Sequence, residues 1–161
     1  MNELPSTFKR ITVWLLVGTV LFLAVQAWLA QRDKTRVSVQ GSVIELRRAA
    51  DGHYHWPGTI NGKAVEFLVD TGASSTAVPK ALAERLQLPS LGDITSSTAG
   101  GMATGTVTRA DVRLEGGLSA DRLKIVALPA LDSPLLGMDL LGRVRWQQGD
   151  GVLRIDLSQP R

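Results

Sequence analysis

Asp70 follows directly on Phe67-Leu68-Val69 and leads into Thr71-Gly72-Ala73-Ser74, so an ionisable carboxyl stands where an apolar run enters a tight Gly turn. A carboxylate in that position needs backbone N–H donors from the turn, or a proton shared with another acid. An Asx-turn that merely ends a strand uses the same residue types in the same order, and three residues alone do not separate the two readings. Composition narrows the chemistry further. The chain of 161 residues contains no cysteine, which excludes a disulfide scaffold, a thiol nucleophile and a zinc site built on thiolates. His53 and His55 are the only imidazoles. They alternate along a candidate strand and so share a face, but no second pair of ligands is spaced to complete a metal site, and they read as surface or subunit-contact residues.

The elements around Asp70 can be placed from local pattern. Asn61-Gly62 separates two apolar-leaning runs and is a strong hairpin signal, because both central residues of a type I′ turn need positive φ. Strands are therefore expected near His53 to Ile60 and Lys63 to Val69, the second ending in the apolar trio before Asp70. Pro79 to Leu88 reads as a short amphipathic helix with Pro in its first turn. Ile94 to Gly105 is rich in Ser, Thr, Ala and Gly, as in a loop or hairpin tip, and strand-like alternation then resumes, broken by Gly116-Gly117 and later by Gly149-Asp150-Gly151. Trp56 and Trp146 read as core or groove packing. About seven short strands and one helix point to a mainly β, closed or sandwich-like domain.

The segment Phe67 to Pro79, FLVDTGASSTAVP, resembles the active-site strand and loop of retropepsin-like aspartic proteases, the single-domain relatives of pepsin and the retroviral proteases. Downstream, Ser133-Pro134-Leu135-Leu136-Gly137-Met138-Asp139-Leu140-Leu141 resembles the family's motif of two apolar residues and Gly that packs beneath that loop. The Gly-rich stretch Ala99 to Gly105 falls between them, where the family places its substrate-covering flap. The likeness covers roughly residues 50 to 157 and is closest to the bacterial membrane-anchored branch. It implies a retropepsin-like β-barrel with one short helix and a peptide-hydrolysing site that uses neither metal nor cofactor. By this resemblance Asp70 is the catalytic acid or base, Thr71 hydrogen-bonds across a dimer axis, and Gly72 lets the backbone turn near the attacking water. Ala73, Gly100, Gly101 and Met102 contact an extended peptide, while Leu135, Leu136 and Gly137 support the loop. Only one Asp-Thr-Gly is present, so a homodimer must supply the second Asp70. The C-terminal strand, residues 152–157, is expected to help form the dimer sheet. Retroviral members commonly carry Arg after the second motif's Gly, whereas this chain has Met138-Asp139. The alternative function is a catalytically silent dimer of the same fold that binds peptides as an added strand.

Charge and hydropathy describe what precedes this domain. All of the formal net charge of +3 falls within residues 1–36, where Lys9, Arg10, Arg32, Lys34 and Arg36 stand against Glu3 and Asp33. The remainder is balanced and has no Lys/Arg stripe, so a nucleic-acid partner is not expected. Residues 11–30 carry no charge, span about 30 Å as a helix and place Trp14 and Trp28 near their ends, the pattern of a single transmembrane anchor. The expected organisation is a tail (1–10), the anchor (11–30), a linker (31–49), the protease domain (50–157) and a short C-terminal tail. Lys/Arg counting alone slightly favours a cytoplasmic domain. The resemblance to exported bacterial members instead places it in the periplasm, attached to the inner membrane.

Overall fold

The computed structural model describes the backbone of residues 6–32, 37–98 and 101–158, divided between a first unit, Met1–Lys34, and a second, Thr35–Arg161. The first unit holds α1 (Ser6–Arg32). Its large apolar side chains from Ile11 to Val25 are exposed, and the Thr19 hydroxyl is satisfied within the helix by donating to Leu15 O (2.9 Å). Among the described residues no helix is long and apolar enough to cross a membrane. Side chains in α1 are described for residues 10–26. The remainder of the expected span, residues 27–30, lies outside them.

The second unit begins earlier than expected. Residues 37–47, read as part of a linker, form β1 (Val37–Gln40) and β2 (Val43–Arg47). Their period-2 apolar positions, Val37, Val39, Ile44 and Leu46, are too few to announce a strand pair locally, and the partner that completes them lies at the other end of the chain. Next come β3 (His55–Ile60) and β4 (Lys63–Val69), joined through Asn61 at φ 48° and Gly62 at φ 78°. These are the positive values that the type I′ turn requires. Then follow β5 (Ala77–Pro79), α2 (Lys80–Arg85, with Pro79 at its N-cap), β6 (Asp93–Thr98), β7 (Gly101–Leu114) and β8 (Ser119–Leu128). The chain ends with β9 (Leu135–Leu136), α3 (Met138–Leu141), β10 (Arg145–Gly149) and β11 (Val152–Asp156). The described strands thus outnumber the seven expected, and α3 adds a second short helix to the domain. Two-residue and three-residue strands such as β9 and β5 are too short to leave a periodic signal.

Seven strands form one sheet in the order β3-β4-β9-β5-β8-β7-β6, and an extra β3–β7 pairing closes six of them into a barrel. Closure depends on a glycine: a Cβ at Gly58 would lie 2.5 Å from Arg113 O, because the two strands cross there at close range. The hairpin turn is stitched to a bulge in β7, where Asn61 N–H donates to Asp111 O (2.8 Å) and Asp111 N–H to Asn61 Oδ1 (2.9 Å). The other four strands make a second sheet in the order β1-β2-β11-β10. Its inward residues Ile44, Leu46, Leu153 and Ile155 share one core with Trp56, Phe67, Ile60 and Ile125 of the barrel. Trp56 is fully buried yet satisfied, since its indole N–H donates to Glu115 O at 2.8 Å.

Candidate active site

Asp70 is the first residue after β4, and the way β4 is held fixes where its carboxyl emerges. On one side β4 pairs with β3, and on the other it runs parallel to β9, with Leu68 opposite Leu135 and Val69 opposite Leu136. Asp70 N–H continues that ladder by donating to Leu136 O (3.1 Å). The side chain then turns back on its own loop, where Oδ1 accepts the Gly72 N–H at 2.8 Å. Ala73 N–H donates to Asp70 O (3.3 Å), and Ala73 O accepts the Met138 N–H (2.8 Å). Asp70 is therefore half-buried, with one carboxylate oxygen fixed by a backbone donor, while Thr71, Gly72 and Ser74 are exposed.

Beneath the loop, Leu136 is fully buried and Leu135 half-buried. Gly137 is buried as well, and a Cβ there would fall 2.5–2.9 Å from the backbone of Ser75, so any side chain would push the loop away. Sequence reasoning missed the groups that hold this contact. Asp139 Oδ2 accepts the Thr76 N–H (2.9 Å), and its Oδ1 accepts both the Thr76 hydroxyl (2.8 Å) and the Leu140 N–H (3.0 Å). Thr76, fully buried, in turn accepts the Gly137 N–H at 3.3 Å. A carboxylate in the first turn of α3 thus ties the end of the loop to the segment below it. The residue noted only as a departure from the retroviral pattern proves to be a structural keystone. The one sequence signal was an acid set between a Gly and an apolar pair, where orphan N–H groups of a helix start attract it. Arg143 adds a further tie by donating from Nε to Asp139 O (2.8 Å).

Of the Gly-rich stretch, residues 101–105 lie in the outer part of the β6–β7 hairpin, with Ser97 opposite Met102 and Thr98 opposite Gly101, and Ala99 lies outside the described residues. Met102 is 72% exposed; Gly100 lies outside the described residues. A small apolar cluster of Ala77, Val126 and Leu128 lies where this hairpin meets β5 and β8, with Ile94, Ala103 and Leu131 packed against it. The structure therefore brings Asp70 to Ala73 together with Leu135 to Gly137. Gly101 and Met102 belong to a separate hairpin that returns to the same sheet.

The two histidines are engaged differently. His55 Nε2 lies 2.7 Å from Asp51 Oδ2, and the His53 N–H donates to Asp51 Oδ1 (2.9 Å). The His53 backbone donor holds the Asp51 carboxyl below the usual carboxylate range against an opposing desolvation, with the His55 ring adding to the lowering. This clamp closes the loop before β3, whose last residue Tyr54 accepts the Val69 N–H at 2.8 Å, next to Asp70. Among the described residues no cluster of three or more His, Cys, Asp or Glu could hold a metal ion.

The family model described as "gag-polyprotein putative aspartyl protease" matches residues 56–143, a stretch that takes in both motifs. An uncharacterized protein of Rickettsia prowazekii is 31% identical over 112 residues, 67% of this chain, and the chain spans only 48% of that relative's length. Among solved structures, a retropepsin-like aspartic protease from Rickettsia conorii aligns at 25% identity and a TM-score of 0.56, covering 76% of this chain and 96% of that one. An EIAV protease complexed with the inhibitor HBY-793 aligns at 17% identity and a TM-score of 0.48, covering 68% and 88% respectively.

Proposed function

The chain belongs to the retropepsin-like aspartyl protease family, and from that premise we propose that it is a membrane-anchored aspartic endopeptidase active as a homodimer. The observation that carries the reading is the Asp70 carboxyl, half-buried and held by the Gly72 N–H at the end of a strand braced from below by Leu136 and Gly137. One protomer contributes one such carboxyl, and a two-fold pair contributes two.

Two carboxyls about 3 Å apart share one proton rather than both ionising. In the proposed reaction the ionised Asp70 takes a proton from a water as its oxygen attacks the peptide carbonyl carbon. The protonated Asp70 of the pair gives its proton to the carbonyl oxygen, and a neutral tetrahedral diol forms. Collapse of the diol breaks the C–N bond. One Asp70 then delivers a proton to the departing nitrogen and the other takes one from a diol hydroxyl, which leaves an acid, an amine and the original shared proton. Thr71 bridges the two loops across the axis, and Ala73, Gly100, Gly101 and Met102 line the groove for an extended peptide. Closure of the hairpin over the peptide excludes water from the reaction.

Residues 11–30 anchor the chain in a bacterial inner membrane with the domain in the periplasm. Confinement to the bilayer raises the effective concentration of protomers for pairing. The test is cleavage of a mixed peptide library by the purified full chain in detergent, between about pH 4 and 7, beside Asp70→Asn. Cleavage by the first and none by the second supports the protease. Silence from both, with the dimer shown by sedimentation, moves the reading to a peptide-binding module. Protease accessibility of the domain in spheroplasts tests the side of the membrane, since a domain shielded until the membrane is opened would be cytoplasmic.

A further inference from the structure

Arg109 on β7 and Lys124 on β8 stand directly opposite one another. Partners in such a register have Cβ atoms about 5 Å apart on one face of the sheet, and like charges so placed destabilise it. Both side chains are exposed. Among the described residues neither is paired with a carboxylate. The acids on the same two strands are already engaged: Asp111 accepts the Arg122 N–H (2.8 Å), and Asp121 lies 3.3 Å from the Arg113 guanidinium. The repulsion between Arg109 and Lys124 is therefore not offset by either strand's own acid, and the pair is open to an anion from outside.

The face they share leads to the Asp70 loop. Val126 is two residues from Lys124 and so lies on the same side of β8, where it joins Ala77 and Leu128 in the small apolar cluster against which Ile94 and Ala103 pack. The other side of β8, with Leu123, Ile125 and Ala127, belongs to the main core. Ala77 is opposite Val126 on one side and Leu135 on the other, and the Val126 N–H donates to Thr76 O at 3.1 Å. An extended chain running from Asp70 across this face passes β9 and β5 before it reaches β8 and β7. At a strand spacing near 4.8 Å that path is about 14–19 Å, roughly four to six residues of extended peptide. We propose that Arg109 and Lys124 select an acidic residue in the substrate, about four to six positions from the bond that is cut. The proposal deepens the reading of Asp70 as a protease site and rests on it. The substrate segment it describes is apolar where it meets Ala77, Val126 and Leu128 and ends in a carboxylate set between the two cations. Such a carboxylate relieves the repulsion that the sheet carries alone, and a basic residue at the same position is repelled.

The test takes one peptide that the full chain in detergent cuts from a mixed library and remakes it with Glu, and separately Gln, at each position along its length. The readout is the ratio of kcat/KM for Glu over Gln, which does not depend on the fraction of enzyme that is folded. The parent chain should favour Glu by about three- to tenfold at one of the distal positions, through KM, and the preference should fade as salt rises. R109Q/K124Q should bring the ratio to about one, and R109E/K124E should turn the preference toward Lys. A ratio of one at every position in the parent, or a preference that survives in R109Q/K124Q, overturns the proposal. K124Q alone should leave the unfolding midpoint equal or higher, because a repulsion is removed. A lower midpoint would assign Lys124 to the fold and overturn its role in selection. A second arm needs no cleavage: fluorescence anisotropy of a labelled apolar decapeptide with Glu near one end, beside its Gln counterpart, on the Asp70→Asn chain with and without R109Q/K124Q. Tighter binding of the Glu peptide, lost in the combined variant, supports the cation pair even if the parent cuts nothing and the protease reading fails. Equal binding of the two peptides, with Lys124 protected from acetylation by micelles containing phosphatidylglycerol, would assign the pair to a lipid surface instead and overturn the proposal.

Discussion

The loop that carries Asp70 and the hairpin that carries Met102 sit on the same sheet and are built on opposite terms. The loop is short and braced on three sides: Asp70 N–H on Leu136, Met138 N–H on Ala73, and Thr76 fixed twice by Asp139. The outer half of the hairpin has one strand ladder, since β6 pairs with β7 and, among the described strands, with nothing else, and its tie to the rest of the sheet is the apolar packing of Ile94 and Ala103. The difference follows from what each part has to do in the proposed reaction. A carboxyl must be held to within a fraction of an ångström of its productive position. A cover must admit and release a chain, and such elements are drawn from the least stable part of a fold.

The sharpest way to break this contrast is at the loop's one acid. Asp70→Asn should lower cleavage by about 10² to 10⁴-fold while leaving the unfolding midpoint in place, since an amide oxygen can still accept the Gly72 N–H. Mixing this variant with parent chain should depress activity more steeply than dilution alone, and a strictly proportional loss would count against a shared site. Next in size is the brace. Asp139→Ala strands the Thr76 N–H, the Thr76 hydroxyl and the Leu140 N–H, and should cost about 2–4 kcal/mol in urea unfolding together with most of the activity. An unchanged midpoint would show that the loop is held by something other than Asp139. The hairpin should respond in the opposite sense. Met102→Ala should change stability by less than about 0.5 kcal/mol, because the side chain is exposed, while raising KM several-fold for an apolar peptide. A loss confined to kcat would place Met102 in the chemistry rather than in the cover.

The smallest effect expected is at the Asp51 clamp. A carboxyl held below its usual range stabilises the fold above the unfolded-state value, near pH 4, and that contribution is lost as pH falls through the lower folded-state value. The difference in thermal midpoint between the parent and Asp51→Asn should thus be present at pH 6 and shrink toward zero on acidification below pH 4. A difference that grows on acidification would reverse the assignment.

The hairpin around Asn61-Gly62, the strand leading to Asp70 and the helix after Pro79 were legible because each is a local pattern: a turn dipeptide, an apolar run and a proline at a helix start. The Asp139–Thr76 tie was not legible, because the two residues are 63 apart and nothing in either neighbourhood names the other. The first two strands of the domain were read as a linker for the same reason. VSVQ and VIELR carry too few apolar positions to stand as strands until β11 arrives more than a hundred residues later and fills their open edge.

What the sequence determined by itself was the chemistry on offer: one Asp-Thr-Gly, no thiol, two histidines and a charge-free run of twenty residues near the N-terminus. These are properties of residue type and short spacing, and they survive any arrangement of the chain. Only the tertiary structure decided what surrounds Asp70 and which distant strands pair with one another. Both depend on backbone hydrogen bonds between residues far apart in the chain, and a backbone donor looks the same at every position until its acceptor is in place.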